Sequence, residues 1–534
     1  MEKLCNDYNL LENNHGLIRI PFLVKGRLVM PPQTDIDTVI NAFRDSRDLS
    51  RAQLPEALAI RQAVIDRQTM SYTGDYIYQI MPLITAQDLI EDDITMLAHE
   101  LYALSVDDIL SFLEKITGAI LENAGVALKI RELYRLTTEF PDAMLDSWFA
   151  SFASIFHLES MRRMIDNELS FQGKPGGDFL NGWVQIPVGP IPESSFSFTE
   201  LLPDNNHPLK NISSNICIRA MPTRQLHITA GNTPEVPLIS ALRAVLTKSP
   251  AVIKLPFGAI LPGALFTLAA VTAAPEHPLT RHLSLVYWQG GNTTIENELF
   301  GSGCFDRVIV WGSQATVASV ISRSPYTRTI CFNPRYGISM IGAEALSASA
   351  IEKTASLAAR DVLYYNQQAC ASSLVHYIEG TEAKADEYAA ILCDVLRQAE
   401  AKMPDFLSPA TIGKVKRLRR GRYAGAHWHV HQNGTAITSA VVVVPDEFDI
   451  LEHPMSRFVI VRPVPSLKSA MKYLHPGVSV VGLFPESLRL ELRDEISARG
   501  VSSVVPLGAA GVFFTGMPHD GMRVLSELVD WKIG

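Results

Sequence analysis

The chain has 534 residues, of which 47% are hydrophobic and 19% charged, and this balance excludes an intrinsically disordered protein and favours two to four packed domains. The formal net charge of −9 argues against general nucleic-acid binding, which uses a basic face. Six cysteines form no CxxC pair and no disulfide framework, which indicates a reducing, cytoplasmic compartment; they are Cys5, Cys217, Cys304, Cys331, Cys370 and Cys393.

The first part of the chain shows no targeting or membrane signal. The stretch MEKLCNDYNLLENN carries acids and amides where a signal peptide has a basic start and an apolar core. The longest apolar run, residues 261–274, contains Pro262 and Gly263 and is too short to span a bilayer. We therefore expect a cytoplasmic protein without a membrane span, in which this run is a buried helix.

Residues 35–170 are predicted to be mostly helical, because apolar residues recur there at spacings of three and four. Asp107 and Asp108, before the run ILSFLEKI, predict a helix start. The Gly- and Pro-rich residues 173–195 then predict an irregular connection.

From about residue 215 short apolar runs alternate with helical segments, which predicts a parallel sheet built from βαβ units. The predicted strands of this lobe are NICIRAMP, RQLHITAGN, SPAVIKLP, LSLVYWQG, FDRVIVWGS and TRTICFNP. A second alternating stretch, residues 336–500, includes the strands AVVVVPD and VSVVGLFP and the helix ADEYAAILCDVLRQAEAKM. The tail, residues 501–534, has a strand-like SVVPLG and a closing helix. The fold class is therefore α/β, with two α/β lobes after a helical N-terminal region.

Ligands of such sheets bind where strands end and helices begin, and several strand ends carry polar residues. Gly231, Asn232 and Thr233 follow one strand, and the Asn232 amide could either donate to a developing oxyanion or simply cap the next helix. Lys254 ends a second strand and could meet a ribose or phosphate, although a solvated lysine is the usual case.

A further strand end carries Gly312 and Ser313 before a helix. Glycine permits close backbone approach, serine caps the helix, and the helix N-terminus attracts phosphate. The sequence has no GxGxxG fingerprint at this place, so this motif alone is weak evidence for a dinucleotide.

Cys370 lies in YYNQQACASS and has no second cysteine close enough for a local bridge or a metal spacing. A lone cysteine is more often a buried small hydrophobe than a nucleophile. The decision depends on the residues that accompany it elsewhere in the chain.

Four motifs in order resemble the aldehyde dehydrogenase superfamily: GNTP (231–234), VIKLP (252–256), WGS (311–313) and NQQACAS (366–372). DVLYYNQQAC and the terminal PHDGM (518–522) are more closely similar to the LuxC-type acyl-CoA reductases, the fatty acid reductase subunits that supply long-chain aldehyde for bacterial luminescence. The resemblance implies a cofactor domain, a catalytic domain and an oligomerising extension. It covers the chain from about residue 200 onwards and the preceding region more loosely.

The resemblance implies a role for each matched residue. Cys370 matches the nucleophile that forms the acyl-enzyme, and Asn232 matches the amide that completes the oxyanion hole with the Cys370 backbone N–H. Lys254 matches the lysine at the adenosine ribose, and Gly312 and Ser313 match the pyrophosphate loop. Glu452 is the nearest acid in the segment that holds the nicotinamide ribose in this superfamily.

Two departures from the superfamily pattern are informative. Members that hydrolyse their acyl-enzyme carry a glutamate about thirty-four residues before the cysteine, whereas the corresponding stretch here, CFNPRYGISM (331–340), has no acid. This fits a thioester reductase, because no general base is present there to activate water. Members that prefer NAD often have a glutamate three residues after the lysine; this position is Phe257, which favours NADPH.

The leading hypothesis is an NADPH-dependent reductase that converts a long-chain acyl-CoA, or another acyl thioester, to the aldehyde through an acyl-cysteine at Cys370. Alternatives are reduction of a carrier-bound or non-fatty acyl group, and a non-catalytic acyl-binding or scaffold protein. The family suggests homotetramers and association with acyl transferase and acyl-protein synthetase subunits. The predicted domains are 1–200 (N-terminal, largely helical), 201–335 (dinucleotide-binding), 336–500 (catalytic) and 501–534 (a return to the cofactor domain or oligomerisation).

Three further features have open roles. His427, His429 and His431 share one face of a predicted strand, but we expect no metal because no cysteine or carboxylate nearby completes a site. The basic cluster at residues 414–422 is either a solvated face or a docking site for CoA phosphates or an acidic carrier. His519 and Asp520 are predicted to cap the closing helix, with a reach into the active site as the alternative.

Overall fold

The computed structural model describes residues 1–91, 99–187, 215–301, 303–433, 436–446, 448–512 and 515–534. The strands of this part of the chain are β1 (Leu17–Arg19), β2 (Phe22–Val24), β3 (Arg27–Val29), β4 (Arg51–Gln53), β5 (Ala57–Asp66), β6 (Ser71–Pro82), β7 (Val184–Pro187), β8 (Asn215–Met221), β9 (Gln225–Ile228), β10 (Ala251–Lys254), β11 (Leu283–Val286), β12 (Arg307–Trp311), β13 (Arg328–Phe332), β14 (Tyr336–Ile341), β15 (Ser373–Glu379), β16 (His427–Asn433), β17 (Ala436–Val443), β18 (Phe458–Val464), β19 (Val478–Phe484), β20 (Ser503–Pro506) and β21 (Asp530–Ile533).

The α-helices of the same residues are α1 (Glu2–Asp7), α2 (Ile36–Asp45), α3 (Ala86–Leu89), α4 (Val106–Glu122), α5 (Ala124–Arg135), α6 (Asp142–Ile155), α7 (Leu158–Glu168), α8 (Gly176–Asn181), α9 (Val236–Leu246), α10 (Ile260–Ala273), α11 (Pro278–Arg281), α12 (Thr293–Gly301), α13 (Gln314–Arg323), α14 (Ile351–Leu363), α15 (Glu382–Glu400), α16 (Pro409–Arg420), α17 (Leu467–Ala470), α18 (Glu486–Ala498) and α19 (Val524–Leu528).

The N-terminal region is mixed rather than mostly helical. Helices α4 to α7 confirm the helical prediction for most of residues 106–168, and Ser105 caps α4 in a capping box with Asp108. Residues 92–98 of the predicted helical run lie outside the described residues. Within the Gly- and Pro-rich stretch that was predicted to be irregular, α8 and β7 form, and the stretch from residue 188 onwards again lies outside the described residues.

The helical prediction is wrong for residues 51–82, which form β4, β5 and β6. With β1 they make a four-stranded sheet of order β1-β6-β5-β4, called the N-terminal sheet below. Ile77, Ile80 and Met81 have a helical spacing, but the β-branched and aromatic residues around them favour an extended chain. The pairing of β5 with β6 as a long antiparallel hairpin decides between the two patterns.

The first α/β lobe is built on a seven-stranded sheet of order β13-β12-β9-β10-β11-β2-β3, called sheet A. Its five strands from β13 to β11 are parallel, as the alternation of short apolar runs with helices predicts, and β2 adds antiparallel to β11. The apolar run predicted to be a buried helix is α10, whose side chains are buried almost throughout. No helix in the described part of the chain is long and apolar enough to cross a membrane.

Strand β8 does not belong to sheet A, although the alternating pattern places it there. It pairs antiparallel with β7 and β21 in a separate three-stranded sheet. The chain end therefore returns to a segment that directly precedes β9.

The second lobe is built on a seven-stranded sheet of order β16-β17-β18-β15-β14-β19-β20, called sheet B. The strands β17 to β20 are parallel to their neighbours, and β16 adds antiparallel to β17 at the edge. Because β20 pairs with β19, sheet B extends beyond residue 500, where the sequence-based division ends the catalytic domain.

Candidate functional site

The predicted ligand-binding strand ends of sheet A meet at one edge. Val310 of β12, Ile228 of β9 and Lys254 of β10 are register partners across three adjacent parallel strands. Neighbouring strands lie about 4.8 Å apart, so the loops that follow these residues lie side by side. The loop with Asn232, the end of β10 at Lys254 and the turn at Ser313 therefore share one edge, as a strand-end ligand site requires.

Lys254 is a nearly fully buried cation, with 8% of the residue exposed. Its Nζ lies 5.7 Å from the ring centroid of Tyr287 and 5.4 Å from that of Trp288. Burial lowers the pKa of Lys254 to about 8, opposed by the charge of Glu296. Within the described residues no carboxylate forms an ion pair with Nζ, so the site retains a cation for an anionic ligand.

The turn at Gly312 and Ser313 leads into the N-terminus of α13, as the sequence predicts. The Ser313 side chain accepts a hydrogen bond of 3.2 Å from the backbone N–H of Thr316 and caps α13. A Cβ on Gly312 would lie 3.1 Å from the Thr316 side chain, which is closer than most real contacts. The helix N-terminus is therefore ordered and closely approached by backbone.

Cys370 lies in the turn between α14 and β15 of sheet B and is partly buried. Asn232, which comes from sheet A, donates from Nδ2 to the carbonyl oxygen of Gln368 at 3.1 Å. The structure thus brings the predicted amide and the predicted nucleophile loop together. An amide nitrogen has two N–H groups, so one remains for a ligand while the other holds the loop.

The backbone before Cys370 is strained. Tyr365, Asn366 and Gln367 have φ values of 47°, 48° and 66°, in the left-handed region that non-glycine residues rarely occupy. Such conformations cost of order 1–3 kcal/mol each and persist only where the surroundings determine them. Strain concentrated beside a predicted nucleophile is typical of functional loops.

Two buried side chains of this loop hold it to sheet B and its surroundings. Gln367 donates from Nε2 to the carbonyls of Ser373 and Phe458 at 2.9 and 2.8 Å, and accepts from the N–H of Phe458 at 3.0 Å. Asn366 donates to Asp405 at 2.7 Å and accepts from Arg457 Nε at 3.1 Å. The loop is therefore fixed by residues up to 91 positions away in the chain.

The Arg457 side chain is fully buried, with 0% exposure, and also pairs with Glu400 at 2.5 Å. Met455, Ser456 and Arg457 themselves have positive φ values, and the Ser456 N–H donates to the Asn366 carbonyl at 3.3 Å. Two left-handed segments thus support each other behind the cysteine. Burial raises the pKa of Asp405 to about 7, against the opposing charge of Arg457.

The thiol of Cys370 is mainly protonated at neutral pH. Burial raises its pKa to about 11, the negative charge of Asp520 adds to this, and the cysteine's own backbone N–H and Arg335 lower it. A nucleophilic role therefore requires a group that accepts the proton as the sulfur attacks.

Arg335 is a charged neighbour of Cys370 that sequence reasoning missed, whereas Asp520 lies there as the alternative prediction for PHDG expects. Asp520 Oδ2 lies 3.7 Å from Arg335 Nε, and burial raises the pKa of Asp520. The prediction that Asp520 caps the closing helix is wrong, because α19 begins after Arg523 without a side-chain cap. The sequence signal for Arg335 is its position within CFNPRYGISM, where hydrolysing relatives of the superfamily carry an acid.

His519 lies on the aromatic pair of Trp311 and Phe332, whose rings stack at a centroid distance of 3.6 Å. Its Nδ1 is 2.9 Å from Arg243 Nη2, and burial lowers its pKa to about 3, so the ring is neutral. The PHDG segment therefore connects the strand ends of sheet A with the neighbourhood of Cys370, in agreement with its predicted alternative role.

Glu235 is a second acid that sequence reasoning missed. It directly follows GNTP, and burial raises its pKa to about 7. Its charge and that of Cys370 both raise the pKa of Tyr364, which places both groups within electrostatic range of the Tyr364 hydroxyl. The available signal was an acid directly after GNTP, in the stretch GNTPEVP.

The structure does not bring Glu452 to these groups. Its carboxylate forms an ion pair of 3.3 Å with Arg422, and both side chains are about half exposed. Lys414 donates to the carbonyls of Leu451 and His453, so the basic cluster packs beside the Glu452 segment. The role of Glu452 at the nicotinamide ribose stays a prediction.

The three histidines of HWHVH lie on β16, as predicted. A carboxylate does lie beside them, because Asp386 Oδ1 is 3.3 Å from His427 and 2.8 Å from His429, whereas His431 contacts Thr438. Among the described residues, no group of three or more His, Cys, Asp or Glu side chains is arranged to hold a metal ion.

Comparison with known proteins agrees with this geometry. Residues 204–531 match the model of the family described as acyl-CoA reductase (LuxC), which is more than half of the chain. A long-chain acyl-protein thioester reductase of Photorhabdus laumondii is 29% identical over 324 residues, or 59% of this chain and 64% of that protein. A long-chain acyl-protein thioester reductase of Vibrio harveyi is 25% identical over 321 residues, or 58% of this chain and 64% of that protein.

Solved structures extend the fold likeness to nearly the whole chain. An aldehyde dehydrogenase from Bartonella henselae superposes with a TM-score of 0.63 at 16% identity, covering 96% of this chain and 98% of that chain. An NADP-dependent glyceraldehyde-3-phosphate dehydrogenase from Bacillus halodurans superposes with a TM-score of 0.67 at 12% identity, covering 97% and 99%. The fold is therefore aldehyde dehydrogenase-like, and the chain belongs to the acyl-CoA reductase (LuxC) family.

Proposed function

We propose that this protein reduces a long-chain acyl thioester to the fatty aldehyde through a covalent acyl-cysteine at Cys370, with NADPH as the reductant. The contact of Asn232 with the Gln368 carbonyl carries this proposal. It brings an amide donor from the strand ends of sheet A within two residues of a cysteine in sheet B. A nucleophile, an oxyanion donor and a phosphate-binding edge then meet in one place.

In the acylation step the Cys370 sulfur attacks the thioester carbonyl carbon. The carbonyl oxygen becomes an oxyanion, which the free N–H of Asn232 Nδ2 and the Cys370 backbone N–H stabilise. One such donor contributes about 3 kcal/mol to the transition state. Collapse of the tetrahedral intermediate breaks the carbon–sulfur bond to the carrier thiol and leaves the acyl group on Cys370.

The proton of the Cys370 thiol moves to a nearby base during attack and is returned to the leaving thiolate. Asp520 is the acid whose charge acts directly on Cys370, and its raised pKa brings it closer to the range of a general base. Glu235, with a pKa of about 7, is the second acid of this neighbourhood. Asp520 and Glu235 are therefore the two acids that we propose for this proton exchange.

The cofactor residues fit a dinucleotide phosphate on two observations. Lys254 is a buried cation, and Ser313 orders a helix N-terminus at the same edge of sheet A. Bound there, a reduced nicotinamide supplies hydride to the acyl carbon. We favour NADPH because Phe257 leaves the charge of Lys254 unopposed at the ribose hydroxyls.

The substrate and partners follow from the family. Relatives named long-chain acyl-protein thioester reductases indicate a long acyl chain and a protein or CoA thioester as the donor. We further propose a homo-oligomer, tetrameric by analogy with the superfamily, that associates with acyl transferase and acyl-protein synthetase subunits.

The experiment is a turnover assay with tetradecanoyl-CoA and NADPH in which the aldehyde is trapped and quantified. Wild-type protein and Cys217→Ala are expected to form aldehyde, since Cys217 is a half-buried thiol of the separate three-stranded sheet. Cys370→Ala is expected to form none above background. Equal aldehyde formation by Cys370→Ala and wild type would overturn the acyl-cysteine route.

A further inference from the structure

The N-terminal sheet touches sheet A beside Lys254. Gln62 of β5 donates from Nε2 to the carbonyl oxygen of Phe257 at 3.1 Å, and Arg51 of β4 donates from Nε to the Tyr287 hydroxyl at 2.9 Å. Both contacts bridge about 200 residues of sequence or more. The sheet that sequence reasoning missed thus supplies side chains to the strand ends of sheet A.

Arg51 occupies a particular place at this edge. Its guanidinium carbon lies 4.9 Å from the ring centroid of Phe257, three residues after Lys254. A carboxylate at the position of Phe257 would hold ribose hydroxyls, whereas here an aromatic ring carries a cation on its face. The sign of the charge beside the ribose is therefore reversed.

The contacts of Arg51 leave part of its guanidinium available. Nε donates to the Tyr287 hydroxyl, and Nη1 pairs with Asp48 at 3.1 Å, while Nη2 makes no hydrogen bond or ion pair within the described part of the chain. Its side chain is 26% exposed. Stacking on an aromatic face leaves the in-plane N–H groups of an arginine free to bind phosphate.

Asp48 is an anion beside the Arg51 guanidinium and partly neutralises its charge. Hydrogen bonds from Ser50 and then Arg51 lower the pKa of Asp48 to about 2, so it is ionised. Both of its oxygens already accept bonds, Oδ1 from Ser50 and Oδ2 from Arg51. Glu298 also lines this edge, and Glu296, whose charge acts on Lys254, is paired with Arg323 at 2.8 Å. Lys254 and Arg51 supply the positive charge here, and Asp48 and Glu296 are already engaged in ion pairs.

A cavity of about 710 Å³ opens beside these groups. Its lining includes Arg51, Asp48, Tyr287, Trp288, Gln289 and Asn292. Lys254 packs against the rings of Tyr287 and Trp288. The volume is within the range of sites for small ligands and cofactors, and the mixed aromatic and polar lining suits an adenosine phosphate.

We propose that Arg51 binds the 2′-phosphate of NADPH and so selects NADPH over NADH. The inference rests on the proposed function, because it takes the dinucleotide to lie along the strand ends of sheet A. The N-terminal sheet then has a specific task, which is to place an arginine over Phe257.

The test is calorimetric titration of the full chain with 2′,5′-ADP and with 5′-AMP, which differ only in the 2′-phosphate. Wild type is expected to bind 2′,5′-ADP the more tightly. Arg51→Gln is expected to weaken 2′,5′-ADP binding by about ten- to a hundredfold, the loss for a charged hydrogen bond, and to change 5′-AMP binding by less than about twofold. The Arg51→Lys variant is expected to bind 2′,5′-ADP with an affinity between those of wild type and Arg51→Gln.

Arg61→Gln is the matched control. Arg61 lies on the neighbouring strand β5 and also stacks on aromatic rings, those of Phe43 and Tyr76. Arg51 is paired with Ile60 across the strands, so Arg61 points to the other face of the sheet. This variant is expected to leave both affinities as in wild type.

Three results would overturn the proposal: equal weakening of both ligands by Arg51→Gln, no weakening of either, or tighter binding of 5′-AMP than of 2′,5′-ADP by wild type. Acylation of Cys370 needs no dinucleotide, so its measurement separates the two proposals. A protein that acylates Cys370 but ignores the 2′-phosphate retains the proposed reaction and loses the role of Arg51. A protein that discriminates 2′,5′-ADP from 5′-AMP through Arg51 but does not acylate Cys370 would retain the role of Arg51 and lose the proposed reaction.

Discussion

The Ser313 turn of sheet A and the loop before Cys370 in sheet B both belong to the proposed site, but they are stabilised in different ways. At the Ser313 turn a local contact suffices, because Ser313 caps α13 through a residue three positions away. In the cysteine loop, three left-handed residues are held by Asp405 and Arg457, 39 and 91 positions from Asn366. The Ser313 turn is therefore determined by a short sequence motif, whereas the cysteine loop depends on tertiary contacts.

This difference between local and long-range stabilisation has a functional explanation. A phosphate-binding edge needs N–H groups and a cation in standard geometry, which a strand followed by a helix provides. A nucleophile that must meet an amide from another sheet needs a backbone shape that no single motif stabilises. The strain in the loop is then offset by buried polar contacts behind it.

The largest expected effect falls on those buried contacts. Arg457→Leu leaves Asp405 and Glu400 without their partner, and loss of one partner of a buried pair costs about 3–5 kcal/mol. Arg422→Leu, which breaks the half-exposed pair with Glu452, is expected to cost less than about 1 kcal/mol. Urea unfolding measures both free energies, and equal losses would contradict the assignment of the larger contribution to the buried pair behind the Cys370 loop.

Asn232→Ala tests the contact between the two sheets. We expect turnover to fall by about a hundred- to a thousandfold, since an oxyanion donor is removed. The thermal midpoint is expected to change little, because Asn232 is exposed. A variant with normal turnover would show that the amide only holds the Gln368 carbonyl.

The charges around Cys370 predict opposite shifts in its reactivity. The negative Asp520 disfavours the thiolate, so Asp520→Asn is expected to lower the Cys370 pKa from its value of about 11. Arg335→Gln removes a favourable charge and is expected to raise it. The measurement is the pH dependence of Cys370 alkylation, followed by peptide mass spectrometry.

The alkylation profile should therefore move to lower pH in the first variant and to higher pH in the second. Asp494→Asn, on an exposed side chain of α18, serves as the control and is expected to leave the profile unchanged. Parallel shifts in both variants would contradict the assigned electrostatics.

The smallest effect is expected at Ser313, where a local cap is lost. Ser313→Ala is expected to cost about 1 kcal/mol of stability. Ser408→Ala removes the same kind of cap from α16, again with a threonine three residues later, and is expected to cost as much. Calorimetric titration with NADPH should show weaker binding for Ser313→Ala alone; equal weakening in both variants would mean that the Ser313 helix has no special role.

The sequence predicts sheet A well for a physical reason. Buried parallel strands are short apolar runs between Gly, Pro and polar caps, and this pattern places β9, β10, β11, β12 and β13. The cap at Ser313 follows from the same local pattern, whereas the burial of Lys254 does not, since a lysine at a strand end is usually solvated. The family motifs single out Cys370 and Asn232 as a predicted nucleophile and its amide before the contact of Asn232 with the Gln368 carbonyl is known.

The remaining parts depend on contacts that no local pattern encodes. Arg51 reaches Tyr287 across 236 positions, and Asp520 approaches Arg335 only after the chain has passed through sheet B. The residues of the β5–β6 hairpin have an accidental helical spacing, so the sequence pattern predicted a helix there. The positions of their side chains could therefore not be predicted. Long-range pairing, rather than residue chemistry, limits the sequence-based prediction.

Intact-mass spectrometry of the protein mixed with tetradecanoyl-CoA in the absence of NADPH is the most direct test of the proposed acyl-cysteine at Cys370. We expect one stable acyl adduct on the wild-type protein. This adduct should map to Cys370, be absent from Cys370→Ala and be discharged as aldehyde when NADPH is added. An adduct on another cysteine, or a Cys370 adduct that persists after NADPH is added, would contradict the proposed acyl-cysteine route.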